Sequence, residues 1–372
     1  MNHRLAIIGA SYLQLPLVKK AKAMGLEVHC FSWEEGAVCS AFADYFHPIS
    51  IVKKEIILDV CRQASISGVL SIASDIAVVT VNYVAEKMRL IGNPDSYSRI
   101  VTNKYLMRKC LQKCGLPSPK FKLITNSNLL DAIDYNYPLI IKPTDRSGSR
   151  GVTKVNKPNE YESAALRACN ESFSGECIVE EFVNGHEISV EAISWEGKHY
   201  ILAFTDKVTT GEPFYVEIQH HQPAVLSYEI QGQAREIVAR ALDALNIRYG
   251  ASHSELIVTD SNEIRIIEIG ARMGGDFIGS DLVALSTGYD FLKGVIDASL
   301  GKFEVPNISE LNHAGIYFLC RQTANLECYV KMKGKFSEII RAEMTDNVLR
   351  PVECSADRSG YFIYKSKSKF KV

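Results

Sequence analysis

The sequence lacks most of the common signatures of metal frameworks, membranes and polyanion partners. None of its ten cysteines falls in a Cys-x-x-Cys pair, so the usual structural zinc pattern is missing. Cys110 and Cys114 stand one helical turn apart, a spacing that serves packing more often than chemistry. Met-Asn-His-Arg runs directly into a strand, so no signal peptide is expected, and the thiols are expected to be reduced and the protein cytoplasmic. No apolar run approaches the ~20 residues of a membrane-spanning helix. A net charge of −1 gives no basic surface for nucleic acid or anionic lipid. The lysines at the end (Lys365, Lys367, Lys369, Lys371) make only a short solvated tail. The first strand–helix turn holds one glycine, Gly9, where a dinucleotide fingerprint needs three. That turn leaves two readings open, an anion site at a helix N-terminus and a plain tight turn. Walker spacing is absent too.

What is present is an ordinary globular composition, 47% hydrophobic and 23% charged, in a chain of 372 residues. That length exceeds one compact core. The most informative stretch runs from His253 to Asp276. Two apolar runs, Glu255–Val258 and Ile264–Ile269, flank Thr259-Asp260-Ser261-Asn262, which has turn composition, so a β-hairpin is expected. Glu255 should sit at the start of its first strand and Glu268 near the end of its second. Antiparallel pairing then brings both carboxylates to one mouth. Two carboxylates with little else form a hard-oxygen site suited to Mg²⁺, which keeps waters and takes substrate phosphates as further ligands. Arg272 follows in a Gly-rich loop, and a guanidinium beside such a site suits a phosphoryl group.

Taken in order, Leu5–Ile8, a helix from Leu13 to Met24 and Val28–Phe31 form a βαβ opening and predict a parallel sheet. Helices are expected over Ile56–Ala64, Ala77–Met88 and Asn103–Cys114. Gly115, Pro117 and Pro119 then read as a hinge. Pro138–Pro143 is an apolar strand that ends on Lys142, a charged head in need of a partner. The loop Thr144–Gly151 (TDRSGSRG) can wrap N–H groups and hydroxyls around phosphates. Cys177–Glu180 and Ile188–Ser194 are strands, and the linker between them can meet an adenine edge. Of His220 and His221, adjacent on a strand, one is expected in a substrate pocket and the other in solvent, because they point to opposite faces. A helix over Ser227–Leu245 precedes the hairpin, and another covers about 281–300.

These motifs together resemble the ATP-grasp superfamily, in its expected order across residues 104–276. The matching parts are Asn103-Lys104, Ile141-Lys142-Pro143, Ser147–Gly151, Glu180-Glu181-Phe182-Val183 with Glu187, Glu255, and Glu268 with Arg272. Within it, His253-Ser254-Glu255 and Glu268-Ile269-Gly270-Ala271-Arg272 are similar to the L-amino acid ligases, which make dipeptides. The resemblance implies an α/β (α+β overall) fold. A Rossmann-like N-terminal domain over 1–95 would precede two ATP-grasp subdomains, 96–185 and 186–300, with a mixed β-rich cap over 301–372.

The resemblance also implies roles. Lys104 and Lys142 hold the α- and β-phosphates of ATP, and Ser147, Gly148 and Ser149 close over the β- and γ-phosphates. The run Glu180, Glu181, Phe182, Val183 meets adenine, Glu180 and Val183 through backbone groups, and Glu187 holds ribose. Glu255 and Glu268 bind Mg²⁺, with Mn²⁺ as a substitute. Arg272 stabilises the transferring phosphoryl group, and His220 belongs to the substrate pocket. The expected activity joins a small-molecule carboxylate, an amino acid, to an amine through an acyl phosphate, in an enzyme that is often a homodimer. Two rivals stand beside it, a bicarbonate-activating enzyme and an ATP-sensing protein without turnover. One departure is visible: many members carry Asn two residues after the second metal Glu, and here that position is Gly270, in the Gly-Ala-Arg form that the amino acid ligase subgroup shares.

Overall fold

The computed structural model describes residues 3–125, 135–309 and 311–372. Its first sheet has the order β3-β2-β1-β4, all parallel. The strands are β1 (Arg4–Ile8), β2 (Glu27–Ser32), β3 (Tyr45–Pro48) and β4 (Gly68–Leu70). Helices α1 (Leu15–Ala23), α2 (Lys54–Gln63) and α3 (Asp75–Met88) cover it. Buried strands such as Leu5–Ile8 read as continuous apolar runs for this reason. The first turn is closed by the chain itself. Ser11 N–H donates to Gln14 Oε1 at 3.1 Å, and Gln14 Nε2 donates to Ile72 O at 2.7 Å. Of the two readings left open there, the geometry is that of the tight turn.

Helices α4 (Asp95–Thr102) and α5 (Lys104–Lys113) lead to a second sheet, order β5-β8-β6-β7. Its strands are β5 (Phe121–Ile124), β6 (Leu139–Pro143), β7 (Thr153–Val155) and β8 (Cys177–Glu181), with α6 (Pro158–Glu171) packed on one face. The proline segment expected to be a hinge is tied down, since Pro117 O accepts from Ile266 N at 2.9 Å and Leu116 is buried.

A third sheet of eight strands carries most of the chemistry. Its strands are β9 (His186–Trp195), β10 (Lys198–Thr209), β11 (Glu217–Gln222), β12 (Gly250–Val258), β13 (Ile264–Gly270), β14 (His313–Leu319), β15 (Ile339–Met344) and β16 (Gly360–Ser366). Their order is β13-β12-β9-β10-β11-β14-β16-β15. The last three strands come from the C-terminal stretch read as a cap, and they continue this sheet through the β11–β14 pairing. Helix α7 (Tyr228–Ala244) buries Ile230, Ala234, Val238, Ala241 and Leu242 against β9, β12 and β13. The single helix expected over 281–300 is two, α8 (Val283–Thr287) and α9 (Phe291–Ser299). Gly288 (φ 75°) ends the first, and the Asp290 side chain caps the second by accepting from Lys293 N.

Candidate active site

The β12–β13 hairpin forms as the sequence predicts, but β12 starts at Gly250, so Glu255 lies in mid-strand. In the antiparallel register Glu255 stands directly opposite Glu268. Alternation along a strand then selects the face. Glu255 pairs with Ser189 and His253 with Glu191 across β9, and Lys207 of β10 pairs with His220 of β11. These side chains share one side of the sheet because their registers have the same parity.

A groove of about 560 Å³ runs along this face. It is lined by every residue the sequence nominated for nucleotide and metal: Lys104, Lys142, Ser147, Gly148, Ser149, Glu180, Glu181, Phe182, Val183, Glu187, Glu255, Glu268 and Arg272. A second chamber of about 390 Å³ holds His220 and shares Lys207, Glu255, Arg272 and the loop Arg146–Gly148 with the first. The two spaces meet beside the hairpin carboxylates.

Local rules place the cations. The Asn103 side chain caps α5 by accepting from Leu106 N at 3.0 Å. That makes Lys104 the first helical residue, and its Nζ reaches Arg146 O at 2.6 Å and Glu268 Oε1 at 2.9 Å. Burial disfavours the charge on Lys104, but Glu268 overrides it and the pKa is raised. Lys142 finds the partner its position demanded in Glu180 Oε2, 2.8 Å away. Glu180 bears on the site through this side chain, which Arg108 also holds at 2.6 Å. Its backbone lies between β5 and β6, opposite Phe121 and Ile140. Glu181 accepts from Lys120 N at 3.1 Å, and Lys154 Nζ lies 4.0 Å from the Phe182 ring centre.

The Ser147–Gly151 loop is a left-handed turn, with positive φ at Gly148, Ser149 and Gly151. At Gly151 a Cβ would come within 2.9 Å of the Pro143 ring, so the loop folds back closely on the end of β6.

Sequence reasoning missed several groups. Arg108 is fully buried and also donates to Ile267 O at 2.5 Å. Lys207 contacts Glu187, Glu217 and Glu255 at 2.8, 3.4 and 2.6 Å. Against the cost of burial, these three carboxylates drive its pKa well above the ordinary lysine value. Burial also opposes the charge on Glu255, yet Lys207 and His253 hold its carboxyl well below the usual range. Glu187 goes the other way, raised by burial and by repulsion from Glu255 and Glu217. One ammonium cannot fully compensate three acids, and Glu187 is the one left short. His253 sits between Glu191 and Glu255. Burial works against its charge, but Glu191 carries its pKa up to about 9.

Asp75, at the start of α3, grips Arg272 with both oxygens, Nε–Oδ1 2.8 Å and Nη2–Oδ2 2.9 Å. Asp276, next to the second chamber, pairs in the same two-pronged way with Arg358 at 2.7 and 2.8 Å. His220 is buried with neither ring nitrogen hydrogen-bonded, and Asp276 is 3.9 Å away. His221, expected in solvent, is buried between Tyr364 Oη and Gln219 Oε1. Burial depresses its pKa to about 3, so it is a neutral core histidine.

Residues 135–281 match the family model described as an ATP-grasp domain, a span that includes Lys142, Glu180, Glu187, Lys207, Glu255, Glu268 and Arg272. Alanine–anticapsin ligase of Bacillus subtilis (strain 168) is 25% identical over 270 residues, 63% of this chain and 57% of that protein. A D-alanine–D-alanine ligase of Flavobacterium johnsoniae is 31% identical over 200 residues, 50% of this chain and 61% of that one. The chain thus spans little more than half the length of these curated relatives. Among solved structures, the L-amino acid ligase from Bacillus licheniformis superposes with a TM-score of 0.82 at 24% identity, over 99% of this chain and 94% of that one. The fold is therefore that of the ATP-grasp enzymes.

Proposed function

We propose that this protein is an ATP-dependent carboxylate–amine ligase that takes an amino acid as acyl donor. The observation that carries this reading is the junction of the two spaces at Lys207, Glu255 and Arg272. A phosphoryl donor in the groove and a carboxylate in the chamber would meet there.

The donor set suits a divalent cation of the Mg²⁺ type. Glu255 and Glu268 are cross-strand neighbours, and the described residues hold no group of three His, Cys, Asp or Glu that could bind a metal. Two carboxylates leave the other positions to water and phosphate oxygens, as Mg²⁺ prefers. Bound there, the ion would neutralise phosphate charge.

The chain's own residues do the rest. Lys104 and Lys142 bind phosphates, the Ser147–Gly151 turn covers them, and the 181–183 segment borders adenine. The nucleotide would lie between the units spanning 96–185 and 186–300. A substrate carboxylate oxygen attacks the γ-phosphorus and ADP leaves, giving an acyl phosphate. Arg272 holds the charge that grows on the transferring group. The amine nitrogen then attacks the carbonyl carbon, the C–N bond forms as the acyl C–O bond breaks, phosphate departs with that oxygen, and the nitrogen gives up a proton. Covering the junction keeps water from the acyl phosphate.

The test is a phosphate-release screen with ATP, Mg²⁺ and amino acids, singly and in pairs. Release dependent on an amino-acid pair, with an amide product by mass spectrometry, is expected. Release stimulated by bicarbonate alone would replace this reading with bicarbonate activation. Tight ATP binding without release under any mixture would make the protein a nucleotide sensor.

A further inference from the structure

Gly270 is the one position in the hairpin that departs from the common pattern, and the geometry around it accounts for the departure. A Cβ placed on Gly270 would lie 2.9 Å from Asp75 Oδ1 and 3.0 Å from both Cζ and Nε of Arg272. Those atoms cannot move aside independently, because Asp75 and Arg272 hold each other through two parallel hydrogen bonds. The pair is largely shielded from solvent, with side chains 16% and 13% exposed. Its backbone surroundings are fixed as well, since Ala73 N donates to Met273 O at 3.1 Å, joining the turn before α3 to the loop after β13. Gly270 does not have a left-handed φ, so alanine would be penalised there by contact alone. A side chain at 270 therefore forces the Asp75–Arg272 clamp to shift.

We propose that Asp75 is a positioning residue that fixes the guanidinium plane of Arg272 from the first sheet's side of the molecule, and that residue 270 is glycine to leave room for this pair. The role of Arg272 in phosphoryl transfer rests on the ligase reading above; the clamp does not. An arginine without the clamp would sample several rotamers beside the junction. The clamp leaves Nη1 as the one terminal nitrogen not bonded to Asp75, with a 3.4 Å hydrogen bond to Met273 O, on a residue that lines both spaces. It also hands the first 95 residues a part in the chemistry, through a carboxylate that touches no substrate.

A double-mutant cycle tests this, using Asp75→Asn, Asp75→Ala, Gly270→Ala and the pair Asp75→Ala/Gly270→Ala, all in the full chain. Asp75→Asn keeps the shape and removes the charge. It should lower kcat by ~10²-fold and leave KM for ATP within about threefold, the signature of lost positioning in the transition state. Asp75→Glu should recover part of that loss. Gly270→Ala should lower kcat at least ~10-fold alone, and far less when Asp75 is already alanine. The same cycle read in the unfolding equilibrium should show a coupling of about tenfold. Wild-type kcat in Asp75→Asn, or an equal cost of Gly270→Ala in both backgrounds, overturns the proposal. If no form, wild type included, releases phosphate, the ligase reading fails. The clamp is then judged by the unfolding cycle alone, where additivity overturns it.

Discussion

Glu255 and Glu268 face each other across the β12–β13 ladder, and each is held by a different lysine, Lys207 at 2.6 Å and Lys104 at 2.9 Å. Like charges directly opposite on a sheet repel. Here the repulsion is relieved by cations from two other elements, β10 and the start of α5. The hairpin therefore supplies the carboxylates, and the rest of the fold decides what they hold.

The first prediction concerns that pair. Glu268→Ala removes one of two carboxylates suited to the cation and leaves Lys104 without its acid. Substrate-dependent phosphate release should fall below detection. Binding of a non-hydrolysable ATP analogue, followed by calorimetry, should persist through Lys142 and the adenine end. Near-normal turnover would take the hairpin out of the mechanism.

Arg272→Lys keeps a positive charge and loses the planar fork that Asp75 grips. A fall in kcat of roughly 10²-fold is expected, the scale of losing one preorganised donor, with KM for ATP little changed. A large rise in KM with kcat intact would make Arg272 a ground-state binding residue instead.

The turn at Ser147–Gly151 should act as a cover. Its backbone amides are expected to exchange with deuterium more slowly when the ATP analogue and Mg²⁺ are present. Equal exchange in both states would reduce the loop to a plain turn.

Arg108, Glu180 and Lys142 form a buried ionic triad, the first two side chains 0% and 3% exposed. Arg108→Met leaves Glu180 with a single cation in the interior. A loss of about 3–5 kcal/mol in unfolding free energy is expected, as for breaking a buried pair from one side. A loss under about 1 kcal/mol in a urea titration would show that Lys142 alone suffices.

Acid should expose the Asp276–Arg358 pair. Burial disfavours the Asp276 carboxylate, but Arg358 overrides it and depresses the pKa far below the ordinary 3.8. A depressed pKa gives stability that is present above the unfolded value and lost as pH falls toward the folded one. The stability gap between wild type and Asp276→Asn should therefore be flat above about pH 5 and narrow below pH ~4. A gap that widens in acid would reverse the sign and discard the pair as its source.

Groups tied to a local pattern could be read from the sequence. The turn between two apolar runs gave the hairpin and a lysine closing an apolar strand gave Lys142, whereas Lys104 entered only through the resemblance to the ATP-grasp superfamily. The break between α8 and α9 was missed, although Gly288 and Asp290, a stop followed by a cap, carry its signal. Arg108, Asp75, Glu191 and Arg358 carry no such signal. Their partners lie 72, 197, 62 and 82 positions away, and only the tertiary fold brings them together. Lys207 had a faint trace, a cation at the parity of Ala203 and Thr205 in a strand buried there. His221 misled because alternation names the opposite face without saying whether β14 and β16 cover it.

The lysine–glutamate pairs at the hairpin have one more consequence on the proposed reading. Hairpin carboxylates each already paired with a lysine draw neither a bare polyphosphate nor a bare divalent ion strongly, since each would have to strip a partner from its counterion. A nucleotide arriving with its cation carries both signs. It can trade with both partners at once, the lysines passing to phosphate oxygens and the carboxylates to the ion, while the number of ionic contacts is conserved. The hairpin then behaves as an ion exchanger selective for the combined species, and the ordering of cation and nucleotide is built into Lys104–Glu268 and Lys207–Glu255 before either arrives.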